Sequence, residues 1–164
     1  AAIARRHAPT VLALTRQALP QQARDAAQLQ AIRRGGYVLL DCAGRPECIL
    51  IATGSEVGIA VDAARELAGR GRRVRVVSMP STSVFDAQEE SWRNSVLPAD
   101  VTRRIAIEAG VADGWWRYVG PRGRVIGMKT FGASGTGQDL FRHFGLTAAA
   151  VIEAAQSLLN TGDN

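Results

Sequence analysis

Residues that support covalent or metal chemistry are scarce. The chain has two cysteines, Cys42 and Cys48, and two histidines, His7 and His143. No zinc-ligand set of usual spacing can be assembled from so few donors so far apart. A disulfide across the six positions between Cys42 and Cys48 is one alternative. With no signal peptide in view the expected compartment is a reducing cytoplasm, where two free thiols are the default. No apolar run reaches the eighteen or so residues that a membrane helix needs, so a soluble chain is expected, with no membrane partner. No internal repeat is present. Lysine is nearly absent: Lys129 is the only one, and the other basic residues are arginine.

What is present describes an ordinary globular chain. Its 164 residues are 46% hydrophobic and 21% charged, enough for one good core with a remnant beside it. A net charge of +5 raises the question of nucleic acid. Binders of nucleic acid gather their Lys and Arg on one face or in one run, whereas here they are scattered. The longest basic stretch, Gly69-Arg70-Gly71-Arg72-Arg73, falls between a helix pattern and a strand pattern, where charged turn residues are expected. No nucleic-acid partner is therefore predicted.

The chain opens on Ala1-Ala2-Ile3-Ala4-Arg5-Arg6-His7, without an initiator Met, and reads as the tail of a helix entering a strand, with natural sequence before it. Pro9-Thr10-Val11-Leu12-Ala13-Leu14-Thr15 is β-branched and apolar, which predicts a buried strand with Arg16 at its C-terminal end. Residues 20–34, rich in Gln, Ala and Arg and closed by Gly35-Gly36, read as a linker with one weak helix. Beyond Gly36 strands and helices alternate, the mark of a layered α/β domain with a mainly parallel sheet. Strands are predicted at 37–40, 48–52, 74–79, 104–108 and 124–128, the first pairing antiparallel with the second. Helices are predicted from the apolar spacing of Val57, Ala60, Val61, Ala64, Leu67 and Ala68, at 86–96, briefly at 115–118, and at 138–144 and 147–159.

Three loops could hold chemistry, since open α/β sheets bind ligands where their strands exit. Thr53-Gly54-Ser55-Glu56 could present backbone N–H groups to an anion, but Glu56 would repel one; an N-cap by Thr53 or Ser55, with Glu56 set against the helix dipole, is the preferred reading. The stretch 132–137, with Ser134 and Thr136, could cradle a phosphate, and a plain connecting loop is again preferred. Arg16, with Thr15 and Gln17 beside it, offers a guanidinium fork for a phosphate ester, though a surface salt bridge is the simpler reading of the residues alone. Neither cysteine has an activating base near it in sequence. Trp115, Trp116 and Tyr118 read as packing at a domain or subunit interface.

In order, Leu14-Thr15-Arg16-Gln17, Arg33 with Gly35-Gly36-Tyr37-Val38-Leu39, Leu50-Ile51-Ala52-Thr53-Gly54-Ser55-Glu56-Val57, Val76-Val77-Ser78-Met79-Pro80-Ser81, Ser95-Val96-Leu97-Pro98, Ile107-Glu108-Ala109-Gly110 and Thr130-Phe131-Gly132-Ala133-Ser134 resemble segments of the transketolase family. Each motif alone is weak, but the ordered set is specific and covers nearly the whole chain. The resemblance implies the end of a pyrimidine-binding α/β domain at 1–19, a linker at 20–36, a C-terminal α/β domain at 37–160 and a tail at 161–164. The expected fold is three layers around a mostly parallel sheet with one antiparallel strand.

The resemblance further implies a parent enzyme of the pentose phosphate pathway, a cytoplasmic homodimer. It would move a two-carbon ketol unit between sugar phosphates with thiamine diphosphate and a divalent metal, Mg or Ca. In the family the arginine of the Ser-Arg-Gln strand end contacts the substrate phosphate, a role carried over to Arg16, with Thr15 in the serine's place. Little else of that machinery is expected here. The Gly-Asp-Gly and paired-asparagine motif is missing, and the terminal Gly162-Asp163-Asn164 has nothing after it. The cofactor-activating glutamate and the active-site histidines belong to earlier sequence, so neither Glu108 nor His143 takes those roles. Gly135-Thr136-Gly137-Gln138 departs from the family's usual Ala-Pro-Ala-Glu type of segment. The chain by itself is thus expected to be structural and inactive, with no cofactor of its own. The competing readings are a stand-alone α/β module for small anions and the C-terminal domain of a related thiamine diphosphate enzyme.

Overall fold

The computed structural model of the chain describes Ile3 and residues 5–160. The predicted tail at 161–164, and Ala1, Ala2 and Ala4 of the predicted opening helix end, lie outside the described residues. Five strands form one sheet: β1 (Tyr37–Leu40), β2 (Cys48–Ala52), β3 (Val74–Ser78), β4 (Arg104–Val111) and β5 (Arg124–Met128), in the order β1-β3-β2-β4-β5. The β2–β3, β2–β4 and β4–β5 pairs are parallel, and only β1 is antiparallel. The layered α/β class with one antiparallel strand is as expected, but the partner of β1 is β3 and not β2. The reason lies in β2, whose Cys-Ile-Leu-Ile-Ala run is buried at every position and already has a parallel neighbour on each side. A strand apolar on both faces belongs in the middle of a parallel sheet, which leaves β1 to cover the edge at β3.

Seven helices, α1 (Ala26–Ala31), α2 (Glu56–Gly69), α3 (Thr82–Asp86), α4 (Glu90–Val96), α5 (Trp116–Val119), α6 (Gly137–His143) and α7 (Ala148–Asn160), are described with the sheet. Alternation along β2 splits the core into two layers. Cys48, Leu50 and Ala52 pack with Val57, Ala60, Val61, Ala64 and Leu67 of α2 and with Val151, Ile152, Ala155 and Leu158 of α7. Ile49 and Ile51 face the other way, onto Phe85 of α3, Val96 of α4, and Trp115, Tyr118 and Val119. Each fully buried aliphatic side chain of this kind contributes roughly 1.5–3 kcal/mol.

Several boundaries differ from expectation for local reasons. The single helix predicted at 86–96 is two, because Ser81 caps a helix that starts earlier, its Oγ accepting the Val84 N–H at 3.4 Å. Gln88 and Arg93 side chains then donate to the Val84 and Asp86 carbonyls, closing the first helix before the second begins. The weak linker helix is real: Asp25 and Gln28 form a reciprocal capping box at the start of α1, and the Gln28 amide also donates to the Val38 and Leu39 carbonyls. The α1 segment is thereby stitched to β1. Gly35 ends this segment at φ +82°, and a Cβ there would collide with the Ser81 carbonyl and the Phe85 amide. Only glycine meets both demands.

The strand predicted at 9–15 is not formed. Residues 5–24 carry no regular element, and Val11, Leu12 and Leu14 are 89%, 71% and 82% exposed. A strand needs a neighbour for its backbone N–H and C=O groups, and none pairs with this stretch among the described residues. Arg16 consequently follows an irregular stretch and not a strand end.

Candidate functional site

The sheet order fixes where a site can be. From β2 the chain crosses to β3 on one side, then returns through α3 and α4 to β4 on the other. The exits of β2 and β4 therefore flank the topological switch point, the preferred ligand position in open α/β sheets. A crevice of about 1110 Å³ lies there. Its walls are the 53–56 loop, 79–82 after β3, 108–111 on β4, Trp115, Arg117 and Tyr118, and the irregular stretch 11–15.

The 53–56 loop does not act as expected. Ser55 is the N-cap residue of α2, but it has helical dihedrals and its side chain makes no cap bond. Its Oγ instead donates to Glu56 Oε1 at 3.0 Å, while the Glu56 N–H is taken by the Thr53 carbonyl at 3.2 Å. Glu56 does stand in the first turn of α2, as the dipole argument requires, but it is 2% exposed. Burial raises its carboxyl above the ordinary range, against hydrogen bonds from its own backbone, Ser55 and the Ala109 backbone. A carboxyl already occupying the helix start disfavours the anion-binding alternative at this loop.

Across the crevice Glu108 sits near the end of β4, one position beyond the Ala52–Ile107 pairing. Burial first, and the Glu56 charge second, push its carboxyl up to about 7. Its Oε2 is enclosed with no hydrogen-bond partner among the described residues. Sequence reasoning did not bring these two glutamates together. The available signal was positional: Glu56 follows β2 and Glu108 lies toward the end of β4, the two strands that flank the switch point.

Trp115 and Tyr118 are core residues, not interface residues: they are buried, their rings lie 5.9 Å apart, and Tyr118 Oη donates to Asp86. Trp116 alone of the three is substantially exposed, at 46%. Arg117 lies 3.1 Å from Asp86 Oδ2 and stands over the Tyr118 ring. The 132–137 loop ends in a helix cap, Thr136 Oγ1 donating to Asp139 Oδ2 at 2.7 Å and accepting the Asp139 N–H at 3.3 Å. That is the connecting-loop reading, and the departure from the family segment at 135–138 leaves the helix start intact.

Arg16 is exposed directly after the crevice-lining stretch, next to Thr15, whose Oγ1 accepts the Gln17 N–H at 3.2 Å. The Gln17 side chain reaches Gly137, so 15–17 lie beside the start of α6. His143 is on the helix surface and touches the Phe144 ring edge-on. Cys42 and Cys48 are both free thiols, and burial pushes Cys48 up to about 12, which removes it as a nucleophile. Among the described residues no group of three or more His, Cys, Asp or Glu is arranged to hold a metal ion, and no helix is long and apolar enough to cross a membrane. The basic turn after α2 is locally paired, Arg70 with Glu66, and Arg72 and Arg73 with Glu47.

Residues 35–147 match the family model described as the transketolase-like C-terminal domain. A curated relative, Transketolase 2 of Aliivibrio fischeri, is 56% identical over 158 residues, which cover 96% of this chain and 24% of that protein. The chain thus spans about a quarter of the length of such relatives. Among solved structures, a transketolase mutant from Pichia stipitis superposes with a TM-score of 0.83 at 37% identity, covering 93% of this chain and 22% of that one. The transketolase of the same organism in complex with sedoheptulose-7-phosphate gives a TM-score of 0.78 at 36% identity, with 88% and 20% covered.

Proposed function

The chain belongs to the transketolase family, of which it is the C-terminal region, and from that premise we propose that it completes an enzyme transferring a two-carbon ketol unit between sugar phosphates. The observation that carries this reading is the length of the match: 158 residues, running through the Thr15-Arg16-Gln17 segment as well as the domain beyond it. In this reading 1–19 close a pyrimidine-binding domain, 20–36 link, and 37–160 are the C-terminal domain. The parent is a cytoplasmic homodimer of the pentose phosphate pathway that uses thiamine diphosphate with Mg or Ca.

The residues of this chain do not fit that cofactor. The one long helix that starts at the crevice has the Glu56 carboxyl in its first turn, where a diphosphate would need free N–H groups, and Glu108 adds a second acid. No step of the reaction is therefore assigned to the C-terminal domain, whose part is structural. Arg16 is the one substrate contact proposed. Its guanidinium can hold a phosphate through two parallel N–H bonds and so position the sugar from the end remote from the reacting carbon.

The test is Arg16→Ala in the full-length enzyme. Loss of one charge-assisted contact is expected to raise KM for phosphorylated sugars by about 10- to 100-fold, with a much smaller change for unphosphorylated acceptors. Unchanged kinetics with phosphorylated sugars would remove Arg16 from the site.

A further inference from the structure

Two acidic side chains at the switch point have no part in the proposed chemistry. Glu56 is buried at the start of α2, and its carboxyl accepts a hydrogen bond from Ser55 Oγ. The parallel pairing of Ala52 with Ile107 sets Glu108, the next residue on β4, beside the loop that opens α2, and both carboxyl side chains line one crevice. Glu108 Oε2 is closed off without a donor. Two ionised carboxyls in this arrangement would repel with little screening and leave a buried oxygen unsatisfied, a double cost. One proton removes both faults, because it cancels a charge and turns a carboxylate into a donor.

We propose that Glu56 and Glu108 share one proton, and that the protonated pair latches the start of α2 to the end of β4 and loosens when the proton leaves.

Other charges around the crevice do not neutralise the pair. On β4 itself the nearest basic residue, Arg104, is at the entering end, where it donates to the Val101, Tyr118 and Pro98 carbonyls. From α5, Arg117 is engaged by Asp86 of α3, and Tyr118 is bonded to the same carboxylate. On β5, Arg124 is at the entering end opposite Ile105, and Lys129 is exposed beyond the exit. The β2–α2 loop brings no basic residue, and α7 faces this layer with Val151, Ile152 and Ala155. The charge acting on Glu108 is that of Glu56, and the raised carboxyls of both residues agree with a pair that titrates as a unit.

The sign of the linkage follows. The folded chain keeps a proton that an unfolded glutamate loses near its ordinary value of 4.5, so stability is full below that pH, falls as pH rises through about 7, and levels off above it. The experiment is a carbon-detected NMR titration of the glutamate carboxyl groups in the 164-residue chain, with E56Q and E108Q variants and the Ala109 amide shift followed in parallel. One glutamate midpoint near 7 is expected in the unmodified chain, with the Ala109 amide moving at that same pH; it disappears in E108Q and moves toward the ordinary range in E56Q. A chain in which every glutamate titrates in the ordinary range overturns the proposal without need of a variant. So does a Glu108 midpoint that ignores E56Q, or an Ala109 amide that ignores the titration.

Discussion

Residues 9–15 and residues 48–52 are alike in sequence and opposite in fate. Both are short apolar runs rich in aliphatic side chains, yet Val11, Leu12 and Leu14 stand exposed in an irregular stretch while every residue of β2 is buried. The difference is not propensity. β2 has a parallel strand on each side and a helical layer on each face, whereas 9–15 has neither. Strand formation is a property of a neighbourhood, and an apolar run with its partners elsewhere reads identically in sequence. In the proposed reading those partners belong to the preceding domain of the full-length enzyme.

The strongest way to sharpen this contrast is paired truncation. Leu50→Ala in the 164-residue chain should cost about 2–5 kcal/mol by denaturant unfolding, because it empties a site sealed from both sides. Leu12→Ala should stay within about 0.5 kcal/mol, as for a surface change. Equal costs would break the comparison. Next in size, Arg104→Ala should cost about 1.5–3 kcal/mol, since the guanidinium serves the Val101, Tyr118 and Pro98 carbonyls that close the loops around β4. Arg16→Ala in the same chain should leave stability unchanged, its expected effect being confined to catalysis by the full-length enzyme. The smallest energetic demand is made by the thiols. Cys42, half-buried, should alkylate in the native chain, and Cys48 about 100-fold or more slowly, by way of unfolding. Equal rates would mean that the β2 layer opens freely.

The domain was legible because its strands are continuous apolar runs set off by Gly, Pro and charged turns. Starts at Tyr37, Cys48, Val74, Arg104 and Arg124 coincide with the structure, and so does the core stripe of α7. Pairing was less legible. Nothing in Tyr37-Val38-Leu39-Leu40 says that its partner is β3, since that follows from β2 being occupied on both edges. The Ser55 cap failed because the hydroxyl found the Glu56 carboxylate instead of a backbone N–H. Trp115 and Tyr118 were misplaced at an interface because a two-turn segment gives no period from which to tell a core face. The Glu56–Glu108 pair was invisible because its members are 52 positions apart in sequence and meet only once β2 and β4 lie side by side.

The most direct test of the two-region account is hydrogen exchange of the backbone amides at 11–15 and 49–52, measured in the 164-residue chain and again in the full-length enzyme. The β2 amides should be protected in both, and the 11–15 amides should exchange freely in the chain and become protected only in the full-length enzyme. Protection of 11–15 in the chain by itself, or its absence in both, would contradict the assignment of this segment to a preceding domain.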